Sequence, residues 1–136
     1  MKLTKKLEAE IRKVYEAFWE SLLNVNMRKF NSFLSEDFKQ IGTTDAEVFF
    51  SKKEAAKFLK ATEEQVVGNI QLRNRDIKIE PFDRSMLITE QSDAYVKIDN
   101  EWNFYAKCRA TSLLQEIDGR WKFIQQHISF PDNRTK

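Results

Sequence analysis

Leu7, Ile11, Val14, Phe18 and Leu22 recur at spacings of four and three along the first segment, flanked by Tyr15 and Trp19, with Glu8, Arg12, Lys13 and Glu16 between them. That periodicity predicts an amphipathic helix of about six turns with Thr4 as its N-cap. Asn24 to Asn26 breaks the pattern, and Met27, Phe30, Phe33 and Leu34 predict a shorter second helix. Phe38 to Gly42 and Glu47 to Phe50 read as short strands around a Gly42-Thr43-Thr44-Asp45 turn. Ser51-Lys52-Lys53-Glu54 has the form of a capping box, in which Ser51 accepts from the N3 amide and Glu54 reaches back to the cap amide. A third helix through Ala55, Ala56, Phe58 and Leu59 follows, with Gly68-Asn69 as its stop.

From Ile70 the helical period gives way to alternation and β-rich composition, through Ile77, Ile79, Met86, Ile88, Tyr95, Val96 and Ile98, then Trp102 to Glu116 and Arg120 to Phe130. Apolar parity switches from even at Ile70 and Leu72 to odd at Ile77 and Ile79, which predicts a β-bulge near Asn74-Arg75. Helices first and strands afterwards, without βαβ alternation, give an α+β domain with the helices on one side of a curved, mainly antiparallel sheet. Residues 1–136 read as one domain, with a short polar tail over 132–136.

Asp118-Gly119 between two strand patterns predicts a two-residue hairpin, because a type I′ turn needs positive φ at both positions. A regular ladder from that turn sets Leu114 opposite Phe123, Ser112 opposite Gln125, Ala110 opposite His127 and Cys108 opposite Ser129. One face then carries Trp102, Phe104, Ala106, Cys108, Ala110, Ser112 and Leu114 with Trp121, Phe123, Gln125, His127 and Ser129. Its small residues leave volume beside a polar trio of Gln125, His127 and Ser129, the pattern of a small-molecule pocket. Tyr15, Phe18 and Trp19 of the first helix are the alternative filling. The other face, with Tyr105, Lys107, Arg109, Thr111, Leu113, Ile124 and Ile128, is too apolar for a solvated surface and too charged for a sealed core. A subunit interface reconciles the two, and an amphipathic surface is the alternative.

Composition narrows the function classes. The 23 basic and 21 acidic residues are interspersed and leave a net charge of +2, so no nucleic-acid footprint stands out. Charges interrupt every apolar run, so neither a signal peptide nor a membrane span is expected, and the single Cys108 fits a reducing compartment. These point to the cytoplasm. Cys108 and His127 are the only soft metal ligands, too few for a zinc site, and no glycine-rich phosphate loop occurs, so no metal or cofactor is expected. The basic residues Arg73 to Arg75 read as solvated surface.

The Gly42-Thr43-Thr44-Asp45 turn before Ser51-Lys52-Lys53-Glu54, the Arg109-x-Thr111 strand, and Asp118-Gly119-Arg120-Trp121 leading to His127-x-Ser129-x-Pro131 together resemble the SnoaL-like branch of the nuclear-transport-factor-like superfamily. The resemblance runs from about Ile11 to Pro131. It implies N-terminal helices on a strongly curved, mixed, mainly antiparallel sheet that forms a cone, a pocket between the first helix and the concave face, and dimerisation through the convex face. Several relatives in this branch look like accessory domains of bacterial signalling proteins, so a stand-alone protein and a domain of a longer chain both remain open. The fold hosts enzymes, sensors and oligomerisation hubs, and the chemistry must come from the residues.

An isomerase of this fold needs a carboxylate base and an oxyanion site. Neither hairpin strand brings an inward acid mid-strand, and Glu90, on the Met86-Ile88 face, is the nearest candidate. His127 as base with Tyr15 as acid is the one pair a dehydratase would have available, with His127 as a ligand anchor or a structural group as the alternatives. The resulting expectation is a homodimeric small-molecule-binding domain, sensory or accessory, with an enzyme of the cyclase, dehydratase or isomerase kind acting in the same pocket, or a pure dimerisation domain, as the alternatives. Tyr15, Trp19, Trp102, Phe104, Ser112, Gln125, His127 and Ser129 line its pocket, and Tyr105, Arg109, Leu113, Ile124 and Ile128 form its dimer face.

Overall fold

The computed structural model of the chain describes residues 2–131, and the expected tail at 132–136 lies outside them. Helix α1 spans Lys5–Leu23, with the Thr4 hydroxyl accepting from the Leu7 amide as its cap. It buries Ile11, Tyr15, Phe18 and Trp19 along the face that the spacing predicted. Helix α2 is Met27–Ser32. Leu34 opens strand β1, Leu34–Ile41, rather than closing α2. Strand β2 is the two residues Val48–Phe49, and helix α3 covers Lys52–Ala61.

Ser51 caps α3 by accepting from the Glu54 amide, but Glu54 reaches the amide of Phe50, one residue before the cap. Thr62 ends α3 well before Gly68, and a single further turn, α4, occupies Glu63–Val66.

Four long strands follow: β3 Ile70–Phe82, β4 Ser85–Ile98, β5 Glu101–Ile117 and β6 Arg120–Ser129. Two-residue turns join them, with Asp83, Asp99, Asn100, Asp118 and Gly119 at positive φ, as tight hairpins on twisted strands require. The sheet order is β2-β1-β6-β5-β4-β3, antiparallel throughout except for the parallel pair of β1 and β6. The helices cover one face of this curved sheet. Phe18 stacks on Phe123 with ring centroids 4.0 Å apart, and Phe30, Leu34, Phe38, Met86, Ile88 and Leu114 complete the core around them. No helix is long and apolar enough to cross a membrane.

Single-residue bulges bend three of the four long strands, and β1 also shifts register against β6 between Leu34 and Lys39. In β3 the pairing jumps from Arg73–Asp93 to Asp76–Gln91, and Asn74 takes a φ of 53°, as the parity switch predicted. In β5 it jumps from Ala106–Ala94 to Phe104–Tyr95, leaving Tyr105 as the extra residue. In β6 it jumps from Phe123–Leu114 to Gln125–Leu113, leaving Ile124 as the extra residue.

The β6 bulge overturns the register that a regular ladder gives beyond Phe123. Ser112 pairs with Gln126, Ala110 with Ile128, Thr111 with His127 and Arg109 with Ser129. A one-residue slip sends every later side chain to the opposite face. Gln126 and Ile128 therefore join the helix-covered face, while Gln125, His127 and Ser129 turn away from it. The extra residue lets both Phe123, which packs under Phe18, and Gln126, which is fully buried, face inward.

Candidate functional site

The first concentration of chemistry lies where α1 crosses β3 and β4. The Tyr15 hydroxyl donates to Glu90 Oε1 at 2.6 Å, and Arg75 donates from Nε to Glu90 Oε2 at 2.6 Å and from Nη2 to Oε1 at 3.1 Å. Arg75 Nη1 donates to Glu16 Oε2 at 2.7 Å, so one guanidinium joins the helix to the sheet. Arg75 is thus no solvated surface charge. The β3 bulge turns it inward, and its side chain is only 21% exposed.

Glu90 and Tyr15 are 1% and 0% exposed. Burial, then the neighbouring Glu90 charge, pushes the Tyr15 hydroxyl far above its usual range, so it stays a proton donor. Burial works against the Arg75 charge, but the Glu90 and Glu16 carboxylates outweigh it and hold the guanidinium firmly protonated. Cys108 lies one row further, opposite Ser92, and burial followed by the Glu90 charge pushes its thiol up to about 11. A thiol so placed is a poor nucleophile. This network fills the space between α1 and the sheet where the sequence placed the pocket. The alternative filling by Tyr15, Phe18 and Trp19 is the one observed.

The expected site residues are dispersed. Tyr15 is in the sealed network, and Trp19 is buried beside it. Ser112 is fully buried behind Gln126. Trp102 stands at the rim of an open groove of about 400 Å³ with Trp19, Gln71 and Arg75. Phe104, carried past the β5 bulge, packs its ring on Tyr95 and is 54% exposed. Gln125 and His127 line a shallow depression of about 330 Å³ on the far face of the sheet, with Leu87, Thr111 and Leu113. They do not converge with Tyr15, and Ser129 pairs with Arg109 on the same far face. Of the expected interface residues, Tyr105, Arg109 and Leu113 keep to that side of the sheet. Ile128 leaves it and packs inward, and Ile124 is the half-buried bulge residue.

A partly open cavity lies at the other end of the helix layer. Its volume of about 150 Å³ lies between α1, α2, α3 and α4 on one side and β1 and β6 on the other. Leu22, Phe30, Phe49, Phe58, Leu59 and Ile128 form its apolar body. Gln40 supplies its polar wall and donates to Gln126 Oε1 at 3.2 Å, and Gln126 donates to the Ser112 hydroxyl at 3.1 Å. This chain of amides is buried from end to end and fixes Gln40 while leaving its carbonyl oxygen and second amide hydrogen for an occupant. Glu47 and Thr43 of the β1–β2 turn complete the lining.

Sequence reasoning missed Gln40, Glu47, Gln126 and Ile128. The adjacent apolar pair Phe123-Ile124, followed by Ile128 at the opposite parity, was the mark of the bulge that would have found the last two.

The curved six-stranded sheet and the helix layer agree with what comparison with known proteins returns. A family model described as a SnoaL-like domain matches residues 11–133. The chain belongs to the SnoaL-like family. Solved structures agree in fold at low identity. A nuclear-transport-factor-like protein of unknown function from Pseudomonas putida superposes with a TM-score of 0.82 at 15% identity, covering 98% of this chain and 93% of that one. A candidate dehydratase of the same fold family from Streptomyces avermitilis gives 0.78 at 13% identity, covering 95% and 99%. A candidate ketosteroid isomerase from Shewanella frigidimarina gives 0.71 at 19% identity, covering 86% and 92%. No curated protein sequence matches the chain. At these identities the SnoaL-like domain shares a fold with its neighbours, and its activity has to be argued from its own residues.

Proposed function

We propose that this SnoaL-like domain binds a small, largely apolar molecule in the cavity beside Gln40, as a sensory or accessory module. The observation that carries the reading is a partly open, mainly apolar cavity with one fixed amide in its wall, the composition of a ligand site. Its volume of about 150 Å³ suits a single ring, since an apolar cavity of that size admits benzene. Binding is favoured over turnover because the buried acid–base set among the described residues is spoken for. Glu90 accepts three hydrogen bonds, is sealed from solvent and does not line the cavity.

Benzyl alcohol as a neutral probe tests the reading. The native chain is expected to bind it and to melt at a higher temperature in its presence. Ile128→Trp, which fills the cavity from β6, is expected to keep the circular dichroism spectrum and lose the shift. A native chain with no shift, or an Ile128→Trp variant that binds as well, would sink the reading.

We further propose that two copies of the domain pair through the far face of the sheet around Leu87 and Leu113. The support is the half-buried apolar pair beside Thr111, Gln125 and His127, with the exposed Tyr105 ring, packed edge to face on Phe130 at 5.3 Å, farther along β5.

A further inference from the structure

Glu47 is the one charged residue among those that line the cavity. It sits half-buried in the turn between β1 and β2, where its carbonyl accepts from the Gly42 amide at 2.7 Å and its amide donates to the Thr44 carbonyl at 3.1 Å. Its carboxylate receives only a long contact from the Thr43 hydroxyl, 3.4 Å, and among the described residues it makes no ion pair.

The side chain is folded back over Gly42. A Cβ at that glycine would lie 2.7 Å from Glu47 Cβ and 2.9 Å from Glu47 Oε1, so the close approach of the side chain requires glycine there, and any larger residue would shift the turn. The turn therefore presents an uncompensated negative charge to an apolar, ring-sized space.

We propose that the cavity selects cationic single-ring ligands, arylalkylamines whose ring enters among Phe30, Phe49, Phe58 and Ile128 while the side-chain ammonium rests on Glu47. The inference rests on the cavity being a ligand site and adds its charge preference. A carboxylate at the mouth of a low-dielectric space attracts an ammonium more strongly than it would in open water, and it repels an anion by the same physics. Gln40, at the wall, is left to pair with a ring hydroxyl or amine. With no Lys or Arg lining the cavity, a carboxylate or phosphate ligand would meet only like charge.

Titration calorimetry with benzylamine, benzyl alcohol and benzoate reads the preference directly. The native chain is expected to bind benzylamine about tenfold tighter than benzyl alcohol, with benzoate weakest. Glu47→Gln is expected to bring benzylamine level with benzyl alcohol while leaving the alcohol unchanged. Benzyl alcohol binding as tightly as benzylamine in the native chain would overturn the charge preference and leave the cavity reading standing. So would a benzylamine advantage that survives Glu47→Gln. Failure of all three probes to bind would overturn both.

Discussion

A carboxylate with 1% exposure is stable only if its lone pairs are used, and Glu90 uses them on Tyr15 and both faces of the Arg75 fork. Removing one partner of such a pair leaves a buried charge without compensation, whereas removing both leaves none. Arg75→Met is therefore expected to cost about 3–5 kcal/mol in urea denaturation, because Glu90 would keep only the Tyr15 bond. Arg75→Met combined with Glu90→Leu should recover much of that loss, giving a double variant more stable than Arg75→Met alone. Tyr15→Phe removes one hydrogen bond to a charged group and should cost about 1.5–3 kcal/mol. If all three variants unfold within about 1 kcal/mol of the native chain, the network contributes nothing and α1 is held by its apolar stripe only. Glu90 was visible in the sequence as the acid nearest the inner face. Its engagement was not, because Arg75 reaches it only through the β3 bulge and Tyr15 lies 75 residues away along the chain.

At the scale of elements, what was legible depended on whether a bulge lay between a residue and the turn that set its register. The α1 stripe, its Thr4 cap, the Ser51 cap of α3 and the Asp118-Gly119 hairpin are local patterns, and all appear where the sequence put them. The β3 bulge was legible because apolar residues change parity across it. The β6 bulge leaves the same trace in Phe123, Ile124 and Ile128, but a strong two-residue turn invites a regular ladder, and that ladder misplaces everything past Phe123. The observed register makes a sharp forecast. Gln126→Ala should destabilise the domain by about 1–3 kcal/mol, because it leaves Gln40 without its acceptor and Ser112 without its donor in a buried setting. Gln125→Ala and His127→Ala, on the exposed face, should stay within about 0.5 kcal/mol. The regular ladder demands the reverse order, so thermal denaturation of the three single variants distinguishes the two registers, and a large loss from His127→Ala with a neutral Gln126→Ala would refute the one described.

For the whole molecule, the open question is what covers the far face of the sheet. The helices protect one face only, and the other presents Leu87 and Leu113 half-buried, Tyr105 59% exposed and Phe104 54% exposed. Solvated sheet faces alternate to polar residues, so this many apolar groups on one side argues for a partner. A two-fold pairing is the economical solution, since each copy then covers the patch that the other exposes. The depression bordered by Leu87, Thr111, Leu113, Gln125 and His127 offers both apolar area and hydrogen-bonding groups for such a contact, and a stable interface would have to bury about 1,200–2,000 Å² in total. Leu113→Asp places a carboxylate at its centre. The variant is expected to run as a monomer in light scattering while keeping its circular dichroism spectrum, because a charge buried between two copies costs several kcal/mol and one facing water costs nothing comparable. Ile128→Asp is expected to behave differently, unfolding the chain instead of splitting the dimer, since Ile128 packs against the core. A native chain that is already monomeric at micromolar concentration, or a Leu113→Asp variant that remains dimeric, removes the far face as the interface.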